Sequence, residues 1–80
     1  MTPSPFIRLH AHDDVLIATQ QLLPGTGVLH ENLVVCDLVP PGHKVAARNI
    51  NTGEAVRRYN QIIGFAKVNI SVGQHVRVRA

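Results

Sequence analysis

Apolar residues along this chain occur in short runs that are separated by clusters of Gly, Pro, Asn and Asp. Short runs rich in β-branched residues and bounded by turn formers are typical of β-strands. This pattern predicts strands in the segments FIRLH, VLIA, LVVCDLV, VAA, AVRRY, IIGFAKV and HVRVR. Residues 13–23 also match the spacing of an amphipathic helix, but Val15, Ile17 and Thr19 are β-branched and favour a strand. A single helical turn fits residues 30–33.

One pattern of seven residues recurs along the chain: an apolar residue, two spacers, glycine, two spacers and valine. The copies cover residues 22–28, 39–45, 50–56 and 70–76. Glycine takes a positive φ without steric cost, so each copy predicts a strand end, a turn and a new strand that starts at the valine. The uneven spacing excludes a solenoid. We therefore predict one mainly β domain over residues 1–80, with a pseudo-barrel or clip shape and at most one or two short helical turns.

Composition narrows the classes of function. The chain has 80 residues, 45% of them hydrophobic and 16% charged, which is typical of a small globular domain. No apolar stretch reaches the roughly 18 residues of a membrane helix, and the N-terminus lacks a signal peptide pattern. We therefore expect a cytoplasmic protein without a membrane partner. Cys36 is the only cysteine, which excludes an internal disulfide, and it is predicted to pack as a small buried apolar residue.

The charge balance favours small anions over nucleic acid as ligands. The net charge is +3, and Phe6, Tyr59 and Phe65 are the only aromatic residues. Three aromatic residues do not make a platform on which bases stack, so nucleic acid is not an expected partner. A mildly basic surface suits a carboxylate.

The first candidate site is the turn in PPGHK, where His43 and Lys44 follow Gly42. Imidazole exchanges protons near neutral pH, and an ammonium group holds a carboxylate or polarises a carbonyl. A polar turn that only reverses the chain explains the same residues.

The second candidate is the alternation of His75, Arg77 and Arg79 with valines near the C-terminus. Residues i and i+2 of a strand share a face, so these side chains would form a cationic stripe that binds a carboxylate. The alternative is a solvated edge strand whose charges prevent aggregation.

Histidines near the N-terminus form a weak metal-binding pattern. His10 and His12 would share one face of a strand, but the segment supplies no third spaced ligand. Loop histidines beside a turn-forming Asp pair explain it equally well. Elsewhere, Asn60 predicts a turn and Gly64 predicts a bulge within a strand.

Several longer segments carry a more specific signal: LHAHDDVLIA, GHKVAARNI, GEAVRRYNQIIGFA and ISVGQHV. Their order and spacing resemble the N-terminal SAF domain of the altronate and galactarate dehydratases, a family of sugar-acid hydro-lyases. The positions that match the family pattern are His10, Gly42, His43, Lys44, Tyr59, Ile63, Gly64, Gly73, His75 and Val76. Asp14 and Asn60 depart from an asparagine and a glycine of that pattern, and Arg77 stands before a terminus that lacks the family's final His-Asn.

The resemblance implies a β-clip fold and an accessory role. It favours a role in catalysis for His43 and Lys44. Together with the cationic stripe, it leads us to expect that Tyr59, His75 and Arg77 contact an anionic sugar acid. It also implies that a larger catalytic domain or subunit carries most of the machinery, including a divalent metal such as iron or manganese. We expect no cofactor in this chain and no activity from the isolated residues 1–80. The alternative is a non-enzymatic SAF-type module that binds a protein or glycan partner.

Overall fold

The computed structural model describes residues 5–28 and 31–76. These residues form short strands: β1 (Phe6–Ile7), β2 (Val15–Ala18), β3 (Gly27–Val28), β4 (Leu33–Val34), β5 (Lys44–Ala46), β6 (Ala55–Arg58), β7 (Gln61–Phe65) and β8 (His75–Val76). The described part of the chain contains no α-helix. The prediction of a mainly β domain is confirmed, and β2 settles residues 15–18 as a strand.

A four-stranded antiparallel sheet forms the centre of the molecule, in the order β1-β2-β5-β8. The strands β3 and β4 form one additional hairpin, and β6 and β7 form another. At the centre of the sheet, Leu16 lies opposite Val45. Both residues are fully buried.

Both faces of the central sheet are covered, which explains the apolar run in β2. On one face, Leu16 and Val45 pack in a cluster with residues of β3 and β4. On the other face, Val15 and Ala46 pack in a second cluster with residues of β6 and the segment after β7. A strand buried on both faces has no reason to alternate apolar with polar residues. This is why the sequence of β2 resembles a buried helix as closely as it resembles a strand.

The repeated glycine pattern forms four turns of one type. In each turn the N–H of the residue after the glycine donates to the carbonyl three residues earlier, at 3.0–3.1 Å. The φ angles of Gly25, Gly42, Gly53 and Gly73 are 92°, 80°, 87° and 89°, as the third position of a type II turn requires. The first residues of the copies pair through backbone hydrogen bonds, Leu22 with Val39 and Ile50 with Ile70. The turns predicted from the pattern are confirmed.

The β6–β7 hairpin confirms the predicted turn and bulge. Tyr59 and Asn60 form its two-residue loop with φ angles of 54° and 59°, the left-handed conformation of a type I′ turn. Asn60 stands where the family pattern has glycine, and asparagine is among the residues that adopt this conformation most readily. In β7, Ile63 is an extra residue beside Gly64, because Val56 pairs with Gly64 while Arg57 pairs with Ile62.

The prediction that Cys36 is buried is wrong. Extended backbone through residues 33–36 places Leu33 and Val35 in the core and leaves Val34 and Cys36 exposed. The run of apolar residues in the sequence concealed this alternation. The helical turn predicted at residues 30–33 falls partly outside the described residues, and Leu33 belongs to β4. None of the described residues forms a helix long and apolar enough to span a membrane.

A buried carboxylate attaches the β6–β7 hairpin to the sheet. Asp14 is 6% exposed. Its Oδ2 accepts a hydrogen bond from the Arg57 N–H at 2.8 Å, and its Oδ1 accepts one from Arg48 Nε at 2.6 Å. Its own N–H donates to the Arg57 carbonyl at 3.0 Å. Asp14 therefore fixes both the position of the hairpin and the Arg48 side chain.

Asp14→Ala is expected to lower the free energy of unfolding by about 2–3 kcal/mol, because it removes both acceptors and leaves a backbone donor unpaired. Asp14→Asn, which restores the asparagine of the family pattern, should cost about half as much, because its single carbonyl oxygen replaces only one of the two acceptors. Urea denaturation measures both values. Glu54→Gln is the control, since the exposed Arg48–Glu54 pair at 3.4 Å should contribute less than about 1 kcal/mol. Equal losses for the three variants would contradict this account.

Candidate active site

The turn that carries His43 is fixed to the central sheet by backbone hydrogen bonds. The Gly42 N–H donates to the Ala18 carbonyl at 2.8 Å, and the Ala18 N–H donates to the His43 carbonyl at 2.9 Å. The His43 N–H closes the turn on the Pro40 carbonyl at 3.1 Å. The exposed His43 side chain therefore lies on a well-held backbone at the end of β2 and the start of β5.

His43 lies next to His75, one of the predicted substrate contacts. The Nδ1 atom of His43 is 2.9 Å from Nε2 of His75, and the two ring centroids are 5.1 Å apart. The pairing of β5 with β8 produces this contact: His75 lies opposite Val45, and His43 precedes Val45 by two residues on the same face. Two histidines that are 32 residues apart in the chain thus form one pair.

Asp37 holds the backbone of His75 in place. Its Oδ2 accepts a hydrogen bond from the His75 backbone N–H at 2.9 Å. One residue earlier, the Cys36 N–H donates to the Gly73 carbonyl at 2.8 Å. The segment at residues 36–37 therefore holds the start of β8 in place. Sequence reasoning missed Asp37, since nothing in its local pattern links it to His75.

The hydrogen bond between the rings restricts the protonation of the pair. Only one proton fits between Nδ1 of His43 and Nε2 of His75, so one imidazole donates and the other accepts. If neutral His43 donates through Nδ1, its Nε2 atom carries a lone pair and can act as a base. Once Nε2 has taken up a proton, His43 is an imidazolium that still donates to His75, and it can return that proton as an acid. The pair can therefore take up or release a proton at the exposed His43 ring.

Lys44 does not join this pair. Successive side chains of a strand point to opposite faces. The Lys44 side chain therefore lies on the opposite face of the sheet from those of His43 and Val45. In register, Lys44 is paired with Ile17 and Val76. Its predicted catalytic role stays a prediction. Arg77 lies outside the described residues.

Tyr59 lies near the opposite end of β2. The Asn60 N–H donates to Asp13 Oδ1 at 2.8 Å, which holds the hairpin loop beside the residues that precede β2. The His43 turn contacts Ala18, at the other end of β2. Four residues of extended chain, from Asp14 to Ala18, span about 13 Å. Tyr59 and the histidine pair therefore do not share one small site.

The two N-terminal histidines form a turn instead of a strand. The His12 N–H donates to His10 Nδ1 at 3.1 Å, and the rings meet edge to face at 5.1 Å. Since His10 Nδ1 accepts a hydrogen bond from the backbone, it is not available to a metal in this conformation. No group of three or more His, Cys, Asp or Glu side chains within the described ranges could hold a metal ion. The described residues thus do not form a complete metal site.

Asp13 is a buried acid beside this turn, and it is 5% exposed. Burial acts to raise the pKa of the Asp13 carboxyl, but hydrogen bonds from the backbone of Asn60 and Tyr59 outweigh it, so the pKa lies below its usual value. Arg8 holds the same turn by donating to the carbonyls of Asp13 and Ala11 at 3.0 and 3.3 Å. Asp13 therefore stays ionised at neutral pH as a structural anchor of the hairpin loop.

Comparison with known proteins assigns the family. Residues 4–80 match the family described as the altronate/galactarate dehydratase SAF domain. The chain is similar to altronate dehydratase of Bacillus subtilis (strain 168), with 34% identity over 76 residues. The match covers 91% of this chain and 15% of the relative. It is also similar to altronate dehydratase of Escherichia coli (strain K12), with 38% identity over 73 residues. This match covers 89% of this chain and 15% of the relative. The chain therefore spans about 15% of the length of these relatives, and it belongs to the altronate/galactarate dehydratase SAF domain family.

Proposed function

We propose that this chain is the accessory SAF domain of a sugar-acid dehydratase and that its His43–His75 pair completes an active site on a larger catalytic part. The observation that carries the proposal is the 2.9 Å contact between the two imidazoles in a chain whose relatives are altronate dehydratases. The proposed substrate is an anionic sugar acid of the altronate or galactarate type.

The proposed reaction requires proton transfer at two points. A base removes the proton α to the carboxylate, and hydroxide leaves from the β carbon after it is protonated to water. The His43 ring can supply either function, because its Nε2 atom is basic while neutral His43 donates to His75 through Nδ1 and becomes acidic once His43 is protonated. The second proton-transfer group belongs to the catalytic part. We also propose that the divalent metal implied by the family lies in that part, because the described residues lack a complete ligand set.

This proposal predicts that the isolated chain does not dehydrate altronate or galactarate, with or without Fe²⁺ or Mn²⁺. A chimera of the B. subtilis altronate dehydratase, in which this chain replaces the segment that it matches, is expected to be active. Formation of the 2-keto product by each protein measures the difference. Turnover by the isolated chain that follows its concentration through purification would contradict the accessory role.

The chimera also tests the alternative of a non-enzymatic binding module. A folded chimera that carries both His43→Gln and His75→Gln should lose altronate dehydration if the pair works in the active site. Undiminished dehydration by that double variant would favour the binding module.

A further inference from the structure

We propose that the outward face of the β6–β7 hairpin is the surface by which this domain docks on the catalytic part of the dehydratase. This docking face consists of Arg57, Ile62 and Phe65, and the exposed Tyr59 and Val68 lie next to it in the chain. The inference rests on the proposed function, because it takes the larger part of the dehydratase as the partner. The expected partner surface is apolar and bordered by carboxylates.

The bulge in β7 creates the docking face. Ile62 and Phe65 are three residues apart, so a regular strand would place them on opposite faces. With Ile63 as the extra residue, Ile62 pairs with Arg57 and Phe65 pairs with Ala55. Arg57 and Ala55 flank the buried Val56 and therefore share the face that points away from the core. Ile62 and Phe65 are consequently brought together, and they are 50% and 61% exposed.

The exposure of this face is unusual for an edge strand. In the described residues β7 pairs with β6 alone, so its other edge presents backbone donors and acceptors. Edge strands are normally protected by charge, proline, short length or a bulge, and of these β7 has the bulge. The residues of β7 are Gln61, Ile62, Ile63, Gly64 and Phe65, and none of them is charged. Large exposed apolar side chains along such an edge indicate an interface.

The charges of the hairpin favour the catalytic part over a second copy of this chain as the partner. Residues 55–68 contain Arg57, Arg58 and Lys67 and no Asp or Glu. A symmetric contact between two such hairpins would bring like charges together, which disfavours a dimer. A partner with carboxylates around an apolar patch fits both the exposed apolar side chains and the positive charges of the hairpin. The altronate dehydratases similar to this chain are several times longer than it, so the family provides a large partner within the same enzyme.

A cleavable chimera tests this interface. A protease site is inserted at the junction between this chain and the rest of the B. subtilis enzyme, and the cleaved protein is analysed by size-exclusion chromatography. The unsubstituted chain is expected to co-elute with the large fragment. Ile62→Lys and Phe65→Lys should each raise the Kd of the cleaved pair at least about 10-fold and release the chain. Leu23→Lys is the matched control, because Leu23 is 56% exposed but lies outside the hairpin.

Folding and partner identity are checked separately. Circular dichroism of each released variant should equal that of the unsubstituted chain, so that release reports on docking. Co-elution of Phe65→Lys as strong as that of Leu23→Lys, or release of the unsubstituted chain, would overturn the proposal. A dimer of the isolated chain in sedimentation that Phe65→Lys abolishes would overturn it in favour of a second copy.

The same chimera separates this inference from the proposed function. His43→Gln should remain bound after cleavage, because His43 lies at the other end of β2 from the hairpin loop. If the chain separates on cleavage while the intact chimera dehydrates altronate, the docking face fails and the proposed function stands.

Discussion

His43→Gln in the chimeric altronate dehydratase is expected to lower kcat/KM for altronate about 10²–10⁴-fold, the usual contribution of general acid–base catalysis. Glutamine retains the size and hydrogen-bonding capacity of the side chain, but it does not exchange a proton near neutral pH. The free energy of unfolding should change by no more than about 0.5 kcal/mol, because His43 is exposed. Steady-state kinetics and urea denaturation of the same preparation measure the two quantities.

Gln20→Ala is the control for this experiment, because Gln20 is exposed and close in sequence to the strand that holds the His43 turn. It should leave both quantities unchanged. Normal kcat/KM for His43→Gln, together with reduced stability, would show that the Gly-His-Lys turn only reverses the chain. That outcome would leave the family assignment intact and remove the pair from the active site.

A double-mutant cycle tests whether the two histidines act together. His75→Gln alone should also reduce kcat/KM, because it removes the ring that orients His43 by accepting a hydrogen bond from its Nδ1 atom. If the pair is one functional unit, the double variant should lose little more activity than the more affected single variant. Losses that add in full would show that the two rings act independently.

Local pattern was sufficient to predict the mainly β class and the turns. The glycine pattern predicted four turns because each turn depends only on its own residues. The structure adds that the valines that follow are buried. The turn at Asn60 and the bulge at Gly64 were predicted for the same reason. Cys36 was mispredicted because an unbroken apolar run conceals which side chains point to the core.

The candidate site could be predicted only in part. The sequence singled out His43 and His75 separately, but their contact depends on the pairing of β5 with β8 across 32 residues. Asp37 was missed because its role depends on that same long-range pairing. By contrast, the separation of Lys44 from His43 follows from strand alternation and could have been predicted. Tyr59 lies far from the pair because the hairpin is attached at Asp13 and Asp14, which no local pattern reveals.

Gly73→Ala is expected to lower the free energy of unfolding by about 2–5 kcal/mol. Alanine at a φ of 89° costs about 1–2 kcal/mol in backbone strain. In addition, its Cβ would collide with the carbonyl oxygen of Val34 and lie 3.1 Å from the Val34 carbonyl carbon. Relief requires movement of backbone, which adds about 1–3 kcal/mol. A domain of this size has about 4–12 kcal/mol in total, so urea denaturation should show a large loss or no folded state.

Gly53→Ala is the matched control, because Gly53 occupies the same position of the same type of turn, with a φ of 87° and no atom within 4 Å of the point where the alanine Cβ would lie. It should cost only the strain of about 1–2 kcal/mol. The difference between the two variants therefore isolates the collision with Val34. The turn at Gly73 cannot easily shift, because its N–H donates to Ala46 and its carbonyl accepts from Cys36.

The Gly73→Ala substitution should also displace His75 and so disturb the histidine pair. Movement of Val34 displaces the segment that ends in Asp37, whose carboxylate holds the His75 backbone. A chimera with Gly73→Ala that still folds should therefore lose altronate dehydration, whereas one with Gly53→Ala should keep it. Equal destabilisation by the two alanines would show that the Val34 carbonyl moves aside with no loss of folding free energy. Close packing of the Gly73 turn would then not account for the position of His75.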